Sequence, residues 1–275
     1  MSYVKALVKP VLYRTLGPAR STALSARLNN LFSLASYHLM PEGRRSALQL
    51  RRLKDTHRGE RCFIIGNGPS LRSMDLSPLR DEFTFGLNRI YLMFEKLGFS
   101  TDCLVCINRY VIEQSGREIL AQPGMKFMSW ASRGFLPSSA DVTLIRPIAR
   151  PLFSTDPAQG VWVGATVTYV AMQLAYLMGF ERVYLIGVDH SFETKGEPHK
   201  LVQSERDDPN HFDPAYFGKG YRWQLPDLET SEIAYRMARH AFEAEGRQIL
   251  DATVGGKLEV FDKVAYANLF PRVAN

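Results

Sequence analysis

Four short groups of glycine and polar residues carry the chemistry legible in this sequence: Gly66-Asn67-Gly68-Pro69-Ser70-Leu71, Asn88, Asn108, and Gly187-Val188-Asp189-His190-Ser191-Phe192. Two glycines, Gly66 and Gly68, let a backbone turn tightly and approach a ligand. Pro69 suits the first position of a helix, whose N-terminus favours an anion. Pro69 has no N–H, so the side chains of Asn67 and Ser70 supply the missing polar contacts. The carboxamides of Asn88 and Asn108 can read a base or a sugar, and each is also the type of residue that occupies a turn or cap. Asp189 and His190 add an acid and an imidazole. Gly164-Ala165-Thr166-Val167-Thr168 opens a helical pattern with hydroxyls and free N–H groups that suit a phosphate, Thr166 being equally a capping residue. Leu71 stands where a dinucleotide fingerprint has its third glycine, and no P-loop pattern occurs in the chain. Neither NAD binding nor a P-loop is supported.

The elements that must position these groups alternate along the chain after Arg61. Cys62–Ile65, Phe83–Leu87, Cys103–Ile107, Lys126–Ser129, Val142–Ile145, Val183–Ile186 and Ile249–Leu250 read as strands. Arg89–Leu97, Val111–Ala121, Thr166–Met178 and Ser231–Glu245 read as helices with apolar faces. This alternation predicts an α/β fold, a Rossmann-like, mostly parallel sheet with helices on both faces. In such sheets ligands sit beyond the carboxyl ends of the strands, where the polar groups lie. Residues 193–228, rich in Lys, Asp, Pro, Gly, His and aromatics, show neither helical nor strand period and are too long for an ordinary connection, which predicts a lid or substrate loop.

With 45% hydrophobic and 23% charged residues among 275, the composition is that of a soluble folded protein and excludes disorder, collagen and coiled coil. Three cysteines cannot make a disulfide framework, and no apolar run approaches the ~20 residues of a membrane-spanning helix. The first residues lack a continuous signal-peptide core, so a cytoplasmic location is expected. The net charge of +6 is uneven: residues 1–61 hold 12 Lys/Arg against 3 Asp/Glu. Within this basic arm, Val4, Leu7, Val8, Val11 and Leu12 recur at helical spacing, as do Leu24, Leu28, Leu31, Phe32 and Ala35. These stripes predict two short amphipathic helices that pack on the body, join a second subunit in a homo-oligomer, or dock on an anionic membrane surface such as the inner membrane. Nucleic acid is not an expected partner. The expected organisation is an arm over 1–57 and a catalytic domain over 58–275.

Ile64-Ile65-Gly66-Asn67-Gly68-Pro69-Ser70-Leu71, Asn88, Asn108, the Gly164-Ala165-Thr166 helix start, Leu185-Ile186-Gly187-Val188-Asp189 and Asn210-His211-Phe212 occur in the order seen in the bacterial sialyltransferases of glycosyltransferase family 42. The sequence resembles more closely their uncharacterised relatives, a group that includes flagellin motility accessory factors and the archaeal 6-hydroxymethylpterin diphosphokinase. The resemblance covers roughly residues 58–260. It implies a metal-independent, inverting transfer from a CMP-activated acidic sugar of the sialic, nonulosonic or Kdo type to a glycan or lipid-linked acceptor, with no cofactor beyond the nucleotide-sugar donor. Carried over, Asn67, Ser70, Asn88 and Asn108 contact the cytidine, phosphate and sugar, Gly164 and Thr166 receive the nucleotide, and His211 is the base that deprotonates the acceptor hydroxyl. Histidine suits that role because an unperturbed pKa near 6.5 leaves it able to accept a proton at neutral pH. The family's phosphate-binding tyrosines are absent after Asp189, where His190, Ser191 and Phe192 stand, so His190, Lys195, His199, Lys200, Tyr216 or Tyr221 is expected to take their place.

Two other readings remain open. One is diphosphoryl transfer from ATP to a pterin-like alcohol, which usually needs Mg²⁺ and carboxylates such as Asp189, Asp207 and Asp208 to hold it. The other is a nucleotide-binding regulatory protein without turnover. Cys103 and Cys106 have a zinc-like spacing, but residues three apart on a strand face opposite sides, so core positions are expected. His190, His199 and His211 have no compact metal-ligand pattern. Phe217, Tyr221 and Trp223 form either a sugar-stacking wall or the anchors of a folded-back loop.

Overall fold

Every run expected as a strand forms one, with small shifts at the ends. The computed structural model describes residues 24–25, 27–137, 141–194 and 196–270, and the chain divides into two units, Met1–Arg44 and Arg45–Asn275. In the first, residues 27–39 form helix α1, which continues past the expected end at Ala35. The helix expected over Val4 to Leu12 lies outside the described residues. Helix α2 (Pro41–Arg52) is absent from the periodicity reading, although Pro41 at its start, Glu42 in its first turn and Arg51 and Arg52 in its last agree with the helix dipole.

The sheet is built from β1 (Arg61–Ile65), β2 (Phe83–Leu87), β3 (Cys103–Cys106), β4 (Met125–Ser129), β5 (Thr143–Ile145), β6 (Arg182–Ile186), β9 (Gln248–Asp251) and β10 (Asp262–Lys263). Among the described residues these pair in the order β10-β9-β6-β1-β2-β3-β4-β5, parallel throughout. The apolar run Cys62 to Ile65 is buried on both faces, as a central parallel strand must be. The α3 turn (Phe94–Leu97) follows a short 3-10 segment, where one longer helix over Arg89–Leu97 is expected. Helix α4 (Arg109–Ala121) joins β3 to β4, α5 (Val167–Met178) leads from β5 back to β6, and α6 (Leu228–Glu243) joins β6 to β9. Because crossovers are right-handed, helices that run in opposite directions across the sheet lie on opposite faces. Thus α4 covers one face, and α5 and α6 share the other, where Tyr176 and Phe242 meet edge to face at 5.3 Å.

Within the second unit, residues 46–57 already belong to the sheet domain that the sequence places from 58 onward. Ser46 Oγ accepts from Leu144 N at 2.9 Å and Gln49 Oε1 from Thr143 Oγ1 at 3.1 Å, so α2 covers the open edge of β5. The backbone N–H groups of Asp55 and His57 bond the last carbonyls of α5.

The segment over 193–228 is not aperiodic throughout. It holds an antiparallel ribbon of β7 (Leu201–Gln203) and β8 (Arg222–Gln224), whose strands are too short for a period of two to register in sequence. Gln114 of α4 bonds both the N–H and the carbonyl of Arg222, and Ser115 meets the Tyr221 hydroxyl at 3.1 Å, so the lid is anchored on α4.

Candidate active site

The strand order reverses direction at β1: the chain moves outward through β2 to β5, then returns to place β6 on the other side of β1. The carboxyl ends of β1 and β6 therefore form the topological switch point, the place where open α/β sheets bind ligands. Two of the sequence motifs meet there. Gly66 N donates to Ile186 O at 2.7 Å and Gly68 N to Gly187 O at 2.8 Å. Asp189 Oδ2 accepts from Ser70 Oγ at 2.7 Å and Oδ1 from Ser70 N at 3.1 Å. A Cβ on Gly68 would lie 1.7 Å from Asp189 Oδ2, so this glycine is required by the carboxylate rather than by its own backbone angles, φ −68° and ψ 156°. Asp189 thus ties the loop after β1 to the loop after β6.

The lid supplies the imidazole. Phe212 N donates to Asn67 O at 2.9 Å, while Arg72 donates through Nε to Phe212 O and through its terminal nitrogen to His211 O, at 2.9 and 2.8 Å. These bonds hold His211 against the Gly66–Ser70 loop. His211 Nδ1 meets Asp208 Oδ2 at 2.6 Å, and the ring stacks on Tyr216 with centroids 4.0 Å apart. Asp208 is 2% exposed and also accepts from the N–H groups of Asn210 and Phe217. Burial works to raise the Asp208 pKa, but the bonds from His211 and the two backbone N–H groups outweigh it and hold the carboxyl below its usual value. A carboxylate on Nδ1 keeps the proton there and leaves Nε2 free to accept one, the arrangement of a general base with its orienting acid.

Beneath His211, Tyr216 is fully buried, and burial pushes its pKa well up. Arg89, directly after Asn88, donates to the carbonyls of Ala215 and Tyr216 and lies over the Tyr221 ring at 4.9 Å. It pins the lid to the end of β2. Phe217 and Trp223 are buried in a stack with Tyr221, so these aromatics act as lid anchors. The Tyr221 hydroxyl is pushed up to about 12, chiefly by burial.

The three asparagines differ. Among the described residues, Asn67 Oδ1 and Asn88 Oδ1 are buried and have no hydrogen-bond partner, and Asn88 adopts φ +49°. An orphaned buried carbonyl is costly unless a ligand donor reaches it, so both mark the ends of β1 and β2 as places for hydroxyl or amino groups. Asn108 instead caps α4, accepting from Tyr110 N at 2.9 Å. Thr166 caps α5 through Thr168 N at 3.3 Å and also meets the Tyr235 hydroxyl at 3.3 Å, while Gly164, at φ +54°, packs against Ala234 and Tyr169. His190, with φ +53°, pairs through Nε2 with Glu232 Oε1 at 3.1 Å.

The remaining candidates for the leaving phosphate separate clearly. Lys195 lies outside the described residues, Tyr216 is enclosed, and His199 pairs with Asp227 on the exposed side of the lid. His190, His199 and His211 each pair with a different carboxylate, and among the described residues no group of three or more His, Cys, Asp or Glu side chains could hold a metal ion. Cys103 and Cys106 are fully buried, with pKa values raised by desolvation. Sequence reasoning misses Arg72, Arg89 and Glu232 altogether and places Asp208 only as a metal ligand. The available signal was its position three residues before His211.

A family model described as 6-hydroxymethylpterin diphosphokinase MptE-like matches residues 37–195. The match takes in the loops after β1, β2, β3 and β6 and stops short of His211. No curated protein matches the chain. Among solved structures, the MAf glycosyltransferase from Magnetospirillum magneticum AMB-1 is similar at 14% identity with a TM-score of 0.47, over 80% of this chain and 38% of that one. The chain therefore spans well under half the length of that protein.

Proposed function

The chain belongs to the 6-hydroxymethylpterin diphosphokinase MptE-like family, and within it we propose a nucleotide-dependent transferase that moves an acidic sugar from a CMP-activated donor to the hydroxyl of a glycan or lipid-linked acceptor. The observation that carries this reading is the His211–Asp208 pair, clamped by Arg72 and the Asn67 carbonyl, together with the buried Asn67 Oδ1 and Asn88 Oδ1, which have no partner among the described residues. Those oxygens need donors, which ribose, sugar and cytosine amino groups offer and phosphate oxygens do not. His211 Nε2 takes the proton of the acceptor hydroxyl. The acceptor oxygen then forms a bond to the anomeric carbon on the face opposite the nucleotide, and the bond from that carbon to the phosphate oxygen breaks, so CMP leaves with the electron pair. His190, held through Nε2 by Glu232 at the switch point, is proposed to contact the departing phosphate through Nδ1 in its doubly protonated form.

The family's description favours a second reading, transfer of diphosphate from ATP to a pterin-like alcohol. The same base would serve, but Mg²⁺ would be needed to bridge the phosphates. The carboxylates do not fit that ion well. Asp189 gives both oxygens to Ser70, Asp208 is taken by His211 and two N–H groups, and Asp207 is exposed in the lid.

A thermal-shift titration with CMP, CDP, UDP, GDP and ATP, each with Mg²⁺ and with EDTA, tests both. A ligand that binds only the folded state raises the melting temperature with concentration over Kd. Stabilisation by CMP that survives EDTA is expected. Stabilisation confined to ATP with Mg²⁺ would replace the sugar transfer by the diphosphokinase.

A further inference from the structure

Helix α1 exposes an apolar stripe that no described element of its own unit covers. Leu28, Leu31, Phe32 and Leu39 are 39%, 59%, 64% and 77% exposed. With Ala35, also exposed, they follow the spacing i, i+3, i+4, i+7 and i+11. At about 100° per residue this is a face roughly 100° wide. Tyr37, on the opposite face, is fully buried, so the stripe is the exposed side of the helix. The surrounding sequence is strongly cationic: residues 1–44 contain Lys5, Lys9, Arg14, Arg20, Arg27 and Arg44 against the single acid Glu42.

We propose that α1 is a membrane-docking helix that lies in the headgroup boundary of an anionic bilayer, with Leu28, Leu31, Phe32 and Leu39 inserted and the positive charge of the surrounding sequence drawing it to acidic headgroups. Charge decides the occupant. An apolar stripe could also pair two copies of the chain, but isologous pairing would bring two arms of the same positive sign together, whereas an acidic lipid surface attracts them by about 1 kcal/mol per cation close to it. Apolar burial and electrostatic attraction then act together, as interfacial helices require. None of the described helices is long and apolar enough to cross a membrane, so the contact is with one leaflet. Docking would bring the sheet domain to an interface where lipid-linked acceptors reside.

The experiment is co-sedimentation of the full chain with vesicles of phosphatidylcholine alone and of phosphatidylcholine with phosphatidylglycerol, at low and high salt. The wild type is expected to pellet with the acidic vesicles and to be released by salt. The double variant Leu31→Glu/Phe32→Glu should lose binding by about tenfold or more, because two inserted apolar side chains become charged. Val254→Glu, which alters an exposed apolar residue outside the arm, should bind like the wild type. In parallel, Phe32→Trp should shift its emission to the blue on adding acidic vesicles. A wild type that stays in the supernatant with acidic vesicles overturns the proposal, as does a double variant that pellets undiminished. If light scattering shows a wild-type dimer that the double variant converts to monomer without vesicle binding, the stripe belongs to a second copy. Should the double variant melt early, the Phe32→Trp reading decides, and an unshifted emission refutes the docking.

Discussion

Replacing Gly68 by alanine tests whether Asp189 is the fastener of the switch-point loops. The backbone at Gly68, φ −68° and ψ 156°, is open to any residue, so alanine there incurs no dihedral cost and would by itself stabilise by about 0.4–1 kcal/mol through the unfolded chain. The obstacle is the carboxylate: the added Cβ would stand 1.7 Å from Asp189 Oδ2, 2.4 Å from its Cγ and 2.9 Å from Gly187 O. Asp189 has to move by more than an ordinary hydrogen bond tolerates, and both bonds to Ser70, at 2.7 and 3.1 Å, are lost. Hydrogen bonds to a charged group contribute roughly 1.5–3 kcal/mol each, less where water can replace the partner, as at half-exposed Ser70. Gly68→Ala is therefore expected to destabilise by about 2–4 kcal/mol in urea unfolding. In an Asp189→Ala background the obstruction is gone except for the Gly187 carbonyl, and the same change should fall within about 1 kcal/mol of neutral, giving a coupling of about 1 kcal/mol or more in the double-mutant cycle. Equal costs in the two backgrounds, or a cost below about 1 kcal/mol in the wild type, would refute the role assigned to Asp189.

Asp208→Asn keeps size and removes charge. Its amide nitrogen must face either His211 Nδ1 or the N–H of Asn210, a donor against a donor in both cases. Turnover of the donor is expected to fall by about a hundredfold, corresponding to about 3 kcal/mol, while the melting shift given by the nucleotide persists; unchanged turnover would remove Asp208 as the orienting acid. Acid should destabilise the protein through the same residue. The folded pKa of Asp208 is lowered, so its contribution is complete above the unfolded carboxylate value of about 3.9 and is lost as pH falls through the lower folded value. Asp227, where burial works to raise the pKa but the bonds from Thr230 and His199 lower it on balance, contributes in the same direction. Urea midpoints measured downward from about pH 5 should drop for the wild type and drop less for Asp208→Asn.

How much of this was legible before folding depends on the range of each interaction. The strands were legible because a parallel strand buried on both faces must be a continuous apolar run, as in Cys62 to Ile65 and Val183 to Ile186. The polar groups that end those runs then had to lie on one rim, so the sequence places Gly66–Ser70 and Gly187–His190 on the same edge of the sheet, while their pairing comes from the strand order that sets β6 beside β1. The caps Asn108 and Thr166 were visible in their local patterns. What tertiary structure alone decided are contacts between residues far apart in the chain, which leave no period and no spacing. Ser70 meets Asp189 across 119 positions, and Arg72 reaches His211 across 139. Arg89 looked like the first residue of a helix, and only the folded lid shows it as the pin through Ala215 and Tyr216. The lid ribbon of β7 and β8 is too short to announce itself, and α2 is recognised by the β5 edge it covers. Sequence alone therefore determined on which rim of the sheet the candidate polar groups would gather. The fold determined which of those side chains remain free for a ligand, since a polar group is available only when no distant partner has already satisfied it.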